Sequence, residues 1–287
     1  MKAFILYLKG FIMGIANIIP GVSGGTLAII LGIYENFISS ISHLFKNFKE
    51  NIKFLIPVGL GIGSSILILS GVIEYSYNNF PFSTMMFFVG LVLGGIPLLV
   101  KKVRGKKELK DFSSYLIFLI TFSIVIVMAC AEFLFDIDMV VSFDNMTIFS
   151  YIILFIVGVA AAATMVIPGV SGSLVLMLLG YYYPILSAIS SFFKFENLMN
   201  NTLILGIFGV GVLVGIVLIS KLLEMLFKKH KTKTYFGVLG FVFASIIAIP
   251  ISTFIEVDSF VVTPTSAIFG IVLLILGSTV SYKLGEK

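Results

Sequence analysis

Charge, cysteine and histidine are all scarce in this chain. Only 11% of its 287 residues are charged, where soluble domains carry roughly a quarter. No polar stretch between its apolar segments exceeds about a dozen residues, so nothing in it reads as a soluble domain. Cys130 is the single cysteine, which excludes an intrachain disulfide framework and a cysteine-based metal site. The two histidines, His43 and His230, fall at charged connections, leaving no imidazole inside an apolar segment to act as base or nucleophile. The one arginine, Arg104, sits in a lysine-rich loop. There is no HExxH, no GxxxxGK[ST] and no GxSxG, so neither an enzyme nor an ATP-driven machine is visible in this chain. No cofactor or metal is expected. The net charge of +5 comes from lysines in short loops, a pattern of membrane orientation rather than of nucleic-acid binding.

What is abundant is apolar sequence: 59% of residues, with a mean hydropathy of +1.15. Ten apolar segments run over 3–19, 26–45, 54–75, 82–100, 112–135, 147–167, 173–193, 202–227, 235–255 and 265–284. In lipid each must satisfy its own backbone groups, so each is predicted helical. Lys2 and the run after it resemble a signal peptide. However, the run passes through Pro20 and Gly21 without a cleavage-like site, and its pattern recurs in mid-chain, so mature structure is expected.

That recurrence is the strongest feature. IPGVSG at 19–24 returns as IPGVSG at 167–172, an offset of 148. Leu31, Gly32 and Tyr34 return as Leu179, Gly180 and Tyr182; Gly10, Gly61 and Gly63 as Gly158, Gly209 and Gly211. The chain therefore reads as two copies of one five-segment unit, about 1–143 and 144–287. Lysine and arginine mark the cytoplasmic side. If the first two segments of each unit form a hairpin returning to its side of entry, 18 of the 19 basic residues fall on that side and only Lys194 lies opposite. Both termini are then cytoplasmic. Each unit holds one hairpin (3–45 and 147–193) and three crossings, and the odd number inverts the second copy, the plan of many secondary transporters. The predicted fold is an all-α polytopic membrane protein of two inverted repeats, each a re-entrant hairpin plus three transmembrane helices.

The hairpin turns carry the chemistry. Pro20 ends the entering helix, Gly21, Gly24 and Gly25 permit a tight turn around Val22, and Ser23 and Thr26 are suited to cap the next helix. A helix start offers free N–H groups to an anion. Pro168, Gly169, Val170, Ser171, Gly172 and Ser173 repeat the arrangement from the other face. Two such tips converging at mid-depth would hold a phosphate or carboxylate without a formal cation. Asn17 and Thr164, one turn before each tip, are polar enough to line the site or to bond a neighbouring helix. Glu35 reads either as an intramembrane carboxylate, and so a candidate for ion coupling with H+ or Na+, or as an interfacial residue near the hairpin's open end. Lys9 and Lys221 either contact phosphate or snorkel to the interface, the second being the ordinary behaviour of lysine there.

The stretch GFIMGIANIIPGVSGGTLAIILGIYE, with its second copy VIPGVSGSLVLMLLGYYYPI, resembles the bacterial and archaeal polyprenyl-phosphate translocases, long a domain of unknown function. The resemblance covers essentially the whole chain. It implies a flippase that returns undecaprenyl phosphate from the outer to the inner leaflet of the cytoplasmic membrane, recycling the lipid carrier for peptidoglycan and other cell-envelope polymers. The family's paired proline-glycine motifs fall on Pro20 to Thr26 and Pro168 to Ser173. Ser173 stands where the first copy has Gly25, so the two tips are not equivalent. Two other readings stand beside it: an ion-coupled carrier of a small soluble anion, and a non-transporting membrane scaffold.

Overall fold

The computed structural model describes residues 2–16, 23–103, 111–134, 141–143, 146–169, 172–256 and 261–286. Among these there are twelve helices and no strand. They are α1 (Lys2–Ala16), α2 (Gly24–Ile30), α3 (Tyr34–Ser42), α4 (Phe48–Asn79), α5 (Pro81–Val103), α6 (Phe112–Leu134), α7 (Ile148–Val166), α8 (Gly172–Leu178), α9 (Tyr182–Phe193), α10 (Leu198–Lys229), α11 (Lys231–Glu256) and α12 (Pro264–Glu286). Seven of them, α4 to α7 and α10 to α12, are long and apolar enough to cross a bilayer. Their outer faces present side chains such as Leu67, Val127, Leu213 and Ile268, each at least 65% exposed, as lipid-facing residues would be. The chain is an all-α polytopic membrane protein.

Twelve helices stand where the sequence predicts ten, because two predicted segments are broken. The segment 26–45 divides into α2 and α3, which meet at 117°. The segment 173–193 divides into α8 and α9. Both breaks have the same cause. The amide of Gly32 bonds the carbonyl of Ile29, and that of Ile33 reaches back to Ala28, at 2.9 and 3.0 Å. Gly180 and Tyr181 repeat this on Met177 and Leu176 at 2.8 and 2.9 Å. These are Schellman motifs, which need a left-handed residue just past the helix, and the two glycines have φ of +71° and +75°. The repeated Leu-Gly-x-Tyr is thus a helix stop.

Helices associate in lipid through close backbone approach, since water drives nothing there. A methyl group on Gly10 or Gly61 would overlap the backbone of Val58 or of Tyr7, and this crossing joins α1 to α4. Gly158 and Gly211 make the same crossing between α7 and α10, against Phe208 and Phe155. The structural partner of Gly61 is therefore Gly211, an offset of 150 rather than 148. Pairing Gly61 with Gly209, and Gly63 with Gly211, is corrected: Gly59, Gly63 and Gly209 have nothing within 4 Å of the position a β-carbon would take. The offset changes between the hairpin and the long helix, since α4 (48–79) and α10 (198–229) are both 32 residues long.

At the centre α5 lies against α11. Their membrane windows are 61% and 67% buried, against 17% for α4, α6, α10 and α12. Around them α5 pairs with α12 and α11 with α6, so the seams of the first six helices recur in the last six. Two seams have no comparable match among the described residues: α2 packs on α5 while α8 makes no comparable contact with α11. The short helix α3 packs along α10, while no comparable contact joins α9 to α4 among the described residues.

Candidate functional site

Asn17, Pro20, Gly21 and Val22, with Val170 and Ser171, lie outside the described residues, as does the side chain of Ser173. The remaining tip residues come together. Ser23, Gly24, Gly25 and Thr26 are all buried, Thr26 to 1% exposure, and so are Pro168 and Gly169. The Gly169 amide donates to the Thr26 hydroxyl at 2.8 Å, a buried bond between residues 143 apart in sequence. Beside it the Tyr34 hydroxyl donates to the Val166 carbonyl at 2.9 Å. A β-carbon on Gly25 would lie 3.0 Å from that same carbonyl oxygen, so the two turns are in van der Waals contact. Gly169 has φ +74°, and a β-carbon there would press on Phe241 and Ser245 of α11 at 2.8 and 2.9 Å; this position admits only glycine. Thr164, near the end of α7, lies beside the start of α8, where a β-carbon on Gly172 would be 3.2 Å from its hydroxyl oxygen. That hydroxyl bonds the carbonyl of Ala161, within its own helix, at 2.7 Å.

Three expectations about the tips are corrected. Ser23 is the N-cap of α2, but its side chain makes no capping hydrogen bond. Thr26 engages the opposite tip instead of capping. Helices α2 and α8 are each seven residues long, so no long helix macrodipole points at the tips. What the tips offer is local: the buried hydroxyls of Ser23 and Thr26 and the backbone amides around them.

Lys9 is 5% exposed and its ammonium donates to the Leu31 carbonyl at 2.7 Å. It does not snorkel. It satisfies the carbonyl freed where α2 stops, at the far end of α2 from the tip, about 10 Å away at 1.5 Å per residue. Lys221 is exposed on α10 and lines a cleft near the end of α3, apart from the tips.

Glu35 opens α3 and is not an isolated carboxylate. It accepts a hydrogen bond from the Tyr235 hydroxyl and ion-pairs with Lys231 at 3.2 Å and Lys102 at 3.5 Å. Lys102 also donates to the Tyr235 oxygen at 3.0 Å. One carboxylate thereby ties α3 to the ends of α5 and α11. Beneath it the rings of Tyr34, Phe227 and Tyr235 form an edge-to-face row, with centroids 6.0 and 5.4 Å apart. At the other end of α3, Glu224 of α10 pairs with His43 at 3.1 Å and accepts from Ser39 at 3.3 Å. Neither the Lys102, Lys231 and Tyr235 cluster around Glu35 nor the His43–Glu224 pair was legible in the sequence. In sequence Lys102 and Lys231 carry only the topology signal of their loops, and the partner carboxylate is 67 or 196 residues away.

Residues 13–263 match the family described as undecaprenyl phosphate translocase-like. The chain is 33% identical over 285 residues to the polyprenyl-phosphate transporter of Staphylococcus aureus, covering 97% of this chain and 95% of that protein. It is 32% identical over 242 residues to the polyprenyl-phosphate transporter of Vibrio cholerae, covering 79% of this chain and 71% of that protein. No solved structure matches the chain. With both proline-glycine turns inside the matched span, and two relatives above 30% identity along most of its length, the protein belongs to the undecaprenyl phosphate translocase-like family.

Proposed function

We propose that the protein carries undecaprenyl phosphate from the outer to the inner leaflet of the cytoplasmic membrane, so that the carrier is reused in cell-envelope polymer synthesis. Both relatives bear the name polyprenyl-phosphate transporter. The observation that carries the reading further is the contact of the two turns through Thr26 and Gly169. A phosphate cannot cross the apolar slab bare, because an unpaired charge there costs many kcal/mol. Hydroxyls of Ser23, Thr26, Ser171 and Ser173, with the turn amides, replace its water. The phosphate displaces the Thr26–Gly169 bond as it enters, and the isoprenoid tail stays in lipid.

In this reading the halves 1–143 and 144–287 are inverted repeats and the mechanism is alternating access. The recurring seams support the repeat. The unmatched α3–α10 seam supports the alternation: α3 is latched to α5, α10 and α11 on the lysine-rich side, and among the described residues α9 has no comparable hold on α4. The conformer is closed toward the cytoplasm and ready to receive substrate from the outer leaflet. Glu35 serves as the latch. Two ammonium groups and a phenol already engage it, unlike a lone proton carrier in an apolar segment.

The test is a proteoliposome assay in which undecaprenyl phosphate begins in one leaflet and its accessibility to an added phosphatase is followed. Protein-dependent transfer is expected. No transfer under imposed proton or sodium gradients refutes the reading, and translocation of inorganic phosphate in its place moves the assignment to a soluble-anion carrier.

A further inference from the structure

A cleft of about 570 Å³ opens between the end of α3 and the last turns of α10, away from the tips. Its cations are Lys46, Lys221, Lys228 and Lys229, its one carboxylate is Glu224, and the His43 imidazole also lines it. That carboxylate is already matched, by Lys228 at 2.8 Å and His43 at 3.1 Å. Lys46, Lys221 and Lys229 form no ion pair among the described residues and leave three positive charges facing the cavity. The cleft is also apolar at its rim: Phe45 is 88% exposed in the turn between α3 and α4, and Met225 is 42% exposed on α10.

This combination is selective. A soluble anion has no use for an exposed phenylalanine and methionine, and a hydrocarbon chain has no use for three unpaired lysines. A phosphate carried on a lipid tail uses both. The volume lies within the range of small-ligand sites. Two of the three charges belong to one face only, while Lys46 has a counterpart in Lys194 at the hairpin offset of 148. By the register of the seams, Gly71 and Asn79 stand in the first half where Lys221 and Lys229 stand in the second. The anionic cytoplasmic leaflet draws clusters of lysine next to membrane helices.

We propose that this cleft is a binding site for the phosphate headgroup of an anionic membrane lipid, held by Lys46, Lys221 and Lys229, with the acyl chain running past Phe45 and Met225. The shared chemistry is a phosphate oxyanion, supplied by a lipid or by free phosphate. The site is independent of the tips, and its failure leaves the transport reading intact.

The full-length protein is purified in detergent and titrated with dioleoyl phosphatidylglycerol, dioleoyl phosphatidylcholine and inorganic phosphate, with bound lipid counted by native mass spectrometry. K46Q/K221Q/K229Q is compared with K53Q/K101Q/K283Q, which removes the same charge at exposed lysines elsewhere. The first variant is expected to bind phosphatidylglycerol roughly a hundredfold more weakly, at about 1 kcal/mol per lysine, while the second stays near wild type. A melting temperature matching wild type confirms that the comparison is between folded proteins. Phosphatidylglycerol binding that inorganic phosphate does not displace assigns the source to lipid, and saturable phosphate binding lost in the first variant assigns it to the free ion. Equal affinity of both variants for every probe overturns the site.

Discussion

Replacing Thr26 by valine separates the tip contact from everything around it. Valine keeps the branched shape and removes only the hydroxyl. Thr26 is 1% exposed and accepts the Gly169 amide at 2.8 Å. Gly169 cannot turn that amide elsewhere, since its left-handed backbone is wedged against α11. The substitution therefore leaves a buried donor without a partner, which costs about 1–3 kcal/mol. In a chain of this size each kcal/mol lowers Tm by about 2–4 °C, so a fall of roughly 2–12 °C is expected. The same hydroxyl is a proposed phosphate ligand, and the loss of 1–3 kcal/mol from the bound state corresponds to a transport rate about 5–150-fold lower. Thr26→Ser keeps the oxygen and should recover most of both. The assays are thermal unfolding in detergent and leaflet-to-leaflet transfer in proteoliposomes. Wild-type Tm and wild-type transfer in Thr26→Val would refute both the energetic argument and the role of the tip contact. A lower Tm with normal transfer would keep the contact and remove Thr26 from phosphate handling.

Glu35→Gln should weaken the latch. Its ion pairs are roughly a third to a half exposed, so each is worth at most about 1 kcal/mol. A combined loss of about 1–2 kcal/mol shifts the balance of conformers by about 5–30-fold. A cysteine at Ser39, in a Cys130→Ser background, should then react several-fold faster with a membrane-impermeant maleimide added from the lysine-rich side; an unchanged rate would rule out the latch. Gly61→Ala should destabilise strongly, by about 2 kcal/mol or more for overlap with backbone. Gly59→Ala, two residues away in open space, should stabilise by up to about 1 kcal/mol. Equal Tm values for these two variants would disprove the crossing. At the start of α6, the hydroxyl of Ser113, then Lys233 at 3.1 Å and the Ser113 amide, hold the Asp111 carboxyl below its usual range. A depressed carboxylate stabilises above its unfolded pKa, about 4, and that contribution is lost as pH falls through the folded value. Wild type and Asp111→Asn should thus differ in Tm at neutral pH and converge below about pH 4; a constant gap down to pH 2.5 would contradict this.

Much of the protein was readable without coordinates, because lipid leaves the backbone few choices. Uninterrupted apolar runs must be helices there, so the seven segments that form α4 to α7 and α10 to α12 needed only their ends adjusted. The doubled IPGVSG pointed to two places in the chain whose described flanks, Thr26 and Gly169, are in contact. The breaks at Gly32 and Gly180 were present in the letters as a repeated Leu-Gly-x-Tyr. A glycine in an apolar run fits a continuous helix as well as a stop, and only its left-handed φ and the back-reaching amides of the next residues separate the two. The register error at Gly61 has a related origin: a two-residue change of offset is invisible when glycines recur every two residues. Where tertiary structure alone decided the outcome, long-range polar partners are involved. Lys9 finds the Leu31 carbonyl, and Glu35 finds Lys102, Lys231 and Tyr235, across 22 to 200 residues of chain. Local sequence sets periodicity and turns through short-range sterics. Which charges come together depends on how whole helices cross, and no local pattern encodes that.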